Sequence, residues 1–133
     1  MSGQQHWAAA YMGLPWINGQ RDCFQFFRQI QAAHYGREIP PYYVDAQMVR
    51  NCVQALQQNP ERQHWEEVAL PKDGDAVLMS QSKVPTHVGV WIGDGGGILH
   101  CVQGAGVVFS MPKHLASMGF KVTGYYRWKG QGT

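Results

Sequence analysis

The sequence predicts an α+β fold, with helices first and a five- to six-stranded antiparallel sheet after them. Three observations lead there. Apolar residues recur at helical spacing in the first half, at Phe24, Phe27 and Ile30 and again at Ala46, Val49, Val53 and Leu56. From Trp65 onward the chain breaks into short β-rich runs separated by turn residues. Of 133 residues, 44% are hydrophobic and 15% charged, which is globular and gives enough apolar mass for a core. Helices grouped before strands is the α+β order; an α/β chain would alternate them. The expected organisation is one domain over residues 1–133.

The elements follow in order. His6 to Met12 reads as a short helix stopped by Gly13, with Pro15 just beyond. Gly13-Leu14-Pro15-Trp16-Ile17-Asn18-Gly19 reads as a turning loop. A second helix starts at an Asp22 cap and ends at Gly36. Ile39-Pro40-Pro41-Tyr42-Tyr43 must be extended, because proline cannot continue a helix. A third helix runs from an Asp45 cap to Asn59-Pro60. Strands are expected at Ala76–Met79, after the turn Asp73-Gly74-Asp75, at His87–Ile92, which runs into glycines 93, 95, 96 and 97, and then at Ile98–Val102, Val107–Ser110 and Lys121–Trp128. A short helix fits Pro112 to Met118.

Composition removes several functions. A net charge of +2 with no Lys/Arg run gives no stripe for nucleic acid. No apolar stretch approaches the ~18 residues of a membrane helix, so no membrane insertion is expected. Met1 to Trp16 has neither the basic start nor the small-residue cleavage site of a signal peptide. There is no phosphate loop, no Gly-x-Ser-x-Gly elbow, and His64-Trp65-Glu66-Glu67 lacks the second histidine of a zinc-protease helix. The glycines at 93–97 are followed by strand-like sequence, where a dinucleotide fingerprint needs a helix. Three cysteines are too few for a disulfide framework.

Chemistry concentrates on a cysteine and two histidines. Cys23 follows the cap Asp22, in a first helical turn whose N–H groups and dipole favour a thiolate and a developing oxyanion. A thiolate nucleophile needs an imidazole. His87 and His100 flank one hairpin. A two-residue turn, Gly93-Asp94, sets them directly opposite each other, with His87 as base and His100 as its orienter. A five-residue loop, Gly93 to Gly97, brings His87 to Gln103 and turns His100 to the other face. Spacing alone leaves both open. Zinc on Cys23, His87 and His100 is the competing reading, but the ligands lack the close pairs of structural zinc sites. Cys52 and Cys101 read as core.

The chain resembles the NlpC-type cell-wall cysteine peptidases, a papain-like group, from about Tyr11 to Trp128. Gly13 to Gly19 looks like the family's Gly-x-Pro-Tyr loop, Asp22-Cys23 like its nucleophile, and Gly74-Asp75-Ala76-Val77 like its Gly-Asp strand. His87-Val88-Gly89 looks like its His-x-Gly strand, and Ile98-Leu99-His100 like its third polar position. Asp22 to Arg28, Gly36 to Pro40 and Gly124 to Arg127 are similar to the phage tail-associated branch. The resemblance implies a papain-like fold and a Cys23–His87–His100 triad, His100 being favoured over Gln103. It further implies hydrolysis of amide bonds in peptidoglycan stem peptides, no cofactor and no metal. Expected partners are a peptidoglycan peptide and phage tail-tip proteins. The expected location is a virion tail, or a prophage product of the cytoplasm acting at the wall, without a wall-binding domain of its own. Two departures stand out. Phe24-Gln25 replaces the family's Ser-Gly, and Trp16 replaces its loop tyrosine, keeping an apolar wall and an N–H for the substrate groove while losing the phenol. Alternative readings are an amidase or acyltransferase on the same triad, or a tail-assembly module that keeps the fold.

Overall fold

The computed structural model describes residues 6–17, 20–38, 65–80 and 85–129. The expected third helix at Asp45–Leu56, with Cys52, lies outside them, as does His64. Helix α1 spans Cys23–Tyr35. Six strands follow: β1 (Trp65–Val68), β2 (Ala76–Ser80), β3 (Pro85–Ile92), β4 (Gly97–Val102), β5 (Gly106–Ser110) and β6 (Lys121–Trp128). They form one antiparallel sheet in the order β1-β6-β2-β3-β4-β5. The α+β expectation holds.

Both faces of the sheet are covered. On one face α1 lays Phe24, Phe27 and Ile30 into a core with Ala76, Leu78, Val88, Val90, Ile92, Leu99, Cys101 and Val107. On the other, Val77, Met79 and Ile98 lie under Leu115 and Phe120. That second cover comes from two 3-10 turns, Pro112–His114 and Ala116–Met118, where the sequence predicts one short helix. Double burial explains why Ala76-Val77-Leu78-Met79 is a continuous apolar run rather than an alternating one. Helix α1 ends where Gly36 adopts φ 66°, a left-handed conformation that costs glycine little. The segment before it forms a 3-10 turn, Trp7–Tyr11, rather than an α-helix. Five residues are too few to repay α-helical nucleation. Trp7 instead stacks on His34 of α1, ring centroids 3.7 Å apart.

A buried polar clamp fixes α1 on the sheet. Gln31 Nε2 donates to the Gly74 carbonyl at 3.0 Å, and Arg37 Nη1 donates to the same oxygen at 2.8 Å. Asp75 accepts from Arg127 of β6 and from the Lys72 N–H. Asp73 accepts from the Gly93 N–H in the β3–β4 loop. The Gly-Asp signature thus joins helix, β2, β6 and hairpin at one point.

Candidate active site

Asp22 makes the start of α1. Its side chain accepts the Gln25 N–H at 2.8 Å, satisfying one of the donors a helix start leaves open. Cys23 is the first helical residue and only 2% exposed, within the core layer that holds Val88 and Cys101. The Cys101 thiol donates to the Arg21 carbonyl at 3.2 Å, which ties the segment leading into Cys23 to β4. Burial pushes the Cys101 thiol up to about 11, so it stays protonated and core-like, as the sequence suggests.

The β3–β4 register differs from both alternatives open at the sequence level. Ile92 pairs with Gly97, Trp91 with Ile98 and Val90 with Leu99, leaving a four-residue loop, Gly93 to Gly96. Three of those four residues are glycine, and Gly95 and Gly96 adopt positive φ, which lets a longer loop close where a two-residue turn was expected. An even loop keeps His87 and His100 on one face. They sit diagonally, just past the last paired residues, rather than directly opposite. Gly89 takes the place opposite His100, and its missing side chain leaves the room they use.

His87 Nε2 and His100 Nδ1 share a hydrogen bond of 2.8 Å. Gln103, the other candidate, is exposed in the β4–β5 turn. His100 Nε2 meets Ser110 Oγ at 2.9 Å, and Ser110 donates onward to Met118 Sδ at 3.3 Å. Phe120 stacks on His87 with centroids 4.6 Å apart and stands edge-on to His100. Strand alternation therefore turns both imidazoles toward the Phe120 side. Their chain neighbours Val88, Leu99 and Cys101 face α1 and the layer of Cys23. His100 is fully buried and His87 is 6% exposed. Burial, and then the neighbouring His100, hold His87 well below its ordinary range; burial alone brings His100 down to about 4. The pair is neutral at physiological pH.

Trp16 is half-buried against the α1 core. No group of three His, Cys, Asp or Glu side chains among the described residues is placed to hold a metal ion. Ser110, Met118 and Phe120 carry no sequence signal that marks them as part of the site. Ser110 is traceable only through register: β5 pairs His100 with Val108, which sets Ser110 two residues on along the same face.

The family model described as NlpC/P60 family matches residues 4–119. A comparison with curated proteins returned no match.

Proposed function

The chain belongs to the NlpC/P60 family, a family of cysteine peptidases and amidases, and from that premise we propose a cysteine peptidase that hydrolyses amide bonds in peptidoglycan stem peptides. Cys23 is the nucleophile, His87 the general base and acid, and His100 the residue that orients His87. The observation that carries this reading is the buried His87–His100 hydrogen bond. It engages Nε2 of His87 and leaves Nδ1 as the nitrogen for the thiol. The imidazoles lie on the Phe120 face of the sheet and Cys23 on the α1 face, so the reaction requires Nδ1 to be brought to Cys23.

Because the resting imidazole is neutral, proton transfer accompanies attack rather than preceding it. Once Nδ1 of His87 reaches Cys23, the thiol proton passes to it as sulfur bonds to the amide carbon. The oxyanion is held at the start of α1, with the Cys23 N–H as one donor. As the C–N bond breaks, Nδ1 returns its proton to the leaving amine. Water then attacks the thioester with His87 taking its proton, releasing a carboxylate and the free thiol. Trp16 forms one wall of the groove.

The likeness of Asp22–Arg28, Gly36–Pro40 and Gly124–Arg127 to the phage tail-associated branch supports the setting: wall penetration from a virion or prophage, with tail-tip proteins as partners.

Purified sacculi incubated with wild type and Cys23→Ala test the reading. Release of stem-peptide fragments by the wild type alone is expected, and their masses identify the bond. Equal release by both proteins rejects Cys23 as nucleophile. Acyl transfer to an added amine instead of hydrolysis would make the enzyme a transferase.

A further inference from the structure

The two histidines can be ordered in two ways, and only one suits a base. In a neutral pair joined through His87 Nε2 and His100 Nδ1, one nitrogen donates and the other accepts. If His100 Nδ1 carries the proton, His87 Nε2 accepts. His87 must then hold its own proton on Nδ1, where it cannot take one from a thiol. If His87 Nε2 carries the proton, Nδ1 has a lone pair to offer. Within the pair nothing chooses between them. The choice is made further along the chain of contacts.

Met118 Sδ is a thioether, which accepts and never donates. The Ser110 hydroxyl has one hydrogen, and Met118 Sδ at 3.3 Å is an acceptor placed to take it. With that hydrogen on Met118, Ser110 Oγ accepts from His100 and the proton of His100 lies on Nε2, 2.9 Å away. The opposite order, with Ser110 donating to Nε2, makes one bond fewer along the row. His100 Nδ1 is left as an acceptor, and the His87 Nε2–H donates to it. The four groups form one directed row, from His87 through His100 and Ser110 to Met118. Ser110 is 4% exposed and His100 fully buried, so bulk water offers no easy substitute partner.

We propose that Ser110, oriented by Met118, is a positioning residue that sets the tautomers of His100 and His87 and so leaves His87 Nδ1 as the base. This rests on the triad reading above. Neither residue acts on substrate or on the reacting atoms directly. Ser110 acts through His100, and Met118 acts through Ser110. Replacing Ser110 by alanine leaves a buried N–H on His100 Nε2 without an acceptor. The pair relieves that by shifting both protons, so that the unpaired N–H passes to Nδ1 of His87, the less buried of the two rings. His87 then carries its proton on Nδ1.

Ring 15N spectra of histidine-labelled protein at neutral pH read this directly, because protonated and unprotonated ring nitrogens differ widely in resonance frequency. In the wild type, Nε2 of both His87 and His100 should be protonated. In Ser110→Ala the order should reverse. Ser110→Thr, which restores a hydroxyl, should restore it. Met118→Leu, which removes only the acceptor, should give a mixture. On sacculi, kcat in Ser110→Ala should fall by about 10- to 100-fold with KM unchanged, inside the range of general-base effects, and recover in Ser110→Thr. Wild-type tautomers in Ser110→Ala overturn the proposal. Where that variant does not fold, wild-type tautomers in Met118→Leu overturn it instead. The spectra need no turnover, so the two readings separate. Expected tautomers in a wild type that digests nothing reject the peptidase and keep the row; an active wild type with tautomers indifferent to Ser110 rejects the row alone.

Discussion

A methyl group added at Gly89 would lie 2.6 Å from Ile98 Cγ2, 2.9 Å from His100 Cβ and 3.1 Å from the Leu99 carbonyl oxygen. Ile98 and His100 are both fully buried, so neither can retreat without moving its surroundings. Gly89→Ala should therefore cost about 1–3 kcal/mol as an overpacked core site. It should also displace His100 from His87 and lose most activity on sacculi. Urea unfolding together with the digestion assay checks both. An active, fully stable variant would mean that the close approach of β3 and β4 there matters to neither packing nor catalysis. This residue gives the His-x-Gly pattern a physical meaning that spacing could not supply. The sequence carried the two histidines onto one hairpin and restricted them to two parities. It could not choose the parity, because glycines at 93, 95, 96 and 97 permit loops of several lengths. Ser110 and Met118 were illegible for a different reason. Nothing local marks a serine at a strand end or a methionine in a 3-10 turn as a partner of a histidine on β4.

Helix α1 was readable from its ends inward. Asp22 and Gly36 stand at the two caps, with the Phe24, Phe27 and Ile30 stripe between them facing the sheet. Asp22→Ala should lower stability by about 1 kcal/mol through the lost Gln25 N–H partner, while Asp22→Ser keeps most of it. A larger effect is expected from Gln31, which is fully buried near the other end. It donates to the Gly74 carbonyl and accepts from Arg37. Gln31→Ala removes a packed side chain and both hydrogen bonds, and should cost about 2–3 kcal/mol in urea unfolding. A loss below that of Asp22→Ala would show that the Gly74 turn does not anchor the helix. Strand β1 was the element the pattern missed. Glu66-Glu67 breaks any apolar alternation, and the strand exists because β6 offers it an edge, pairing Glu66 with Arg127 and Glu67 with Tyr126. Pairing at a sheet edge is a tertiary fact, so periodicity does not announce it.

Across the whole molecule, the sheet divides two apolar layers, and the histidine pair belongs to the one beneath Phe120. This placement makes stability depend on pH. An unfolded histidine titrates near 6.5, whereas folded His100 titrates near about 4 and His87 well below its ordinary value. Between those limits the unfolded chain binds more protons than the folded one, so stability is complete above about pH 6.5 and falls as the pH drops. For His100 the loss by pH 4 amounts to about 3 kcal/mol, at ~1.4 kcal/mol for each pH unit crossed, and His87 adds to it with the same sign. His34 is also lowered, but it is partly open to solvent, so its share is small. Urea midpoints measured from pH 7.5 to 5, above the main carboxylate range, should fall steadily in the wild type. In His100→Gln the fall should be distinctly shallower, because one of the two buried imidazoles no longer resists protonation. A profile that is equally steep in both proteins would place the acid sensitivity outside the pair. A flat wild-type profile would mean that both histidines can take up protons without opening the layer under Phe120. The burial that weakens the fold in acid also keeps the His87 ring unprotonated at neutral pH, while lowering its affinity for the proton it must take from the thiol.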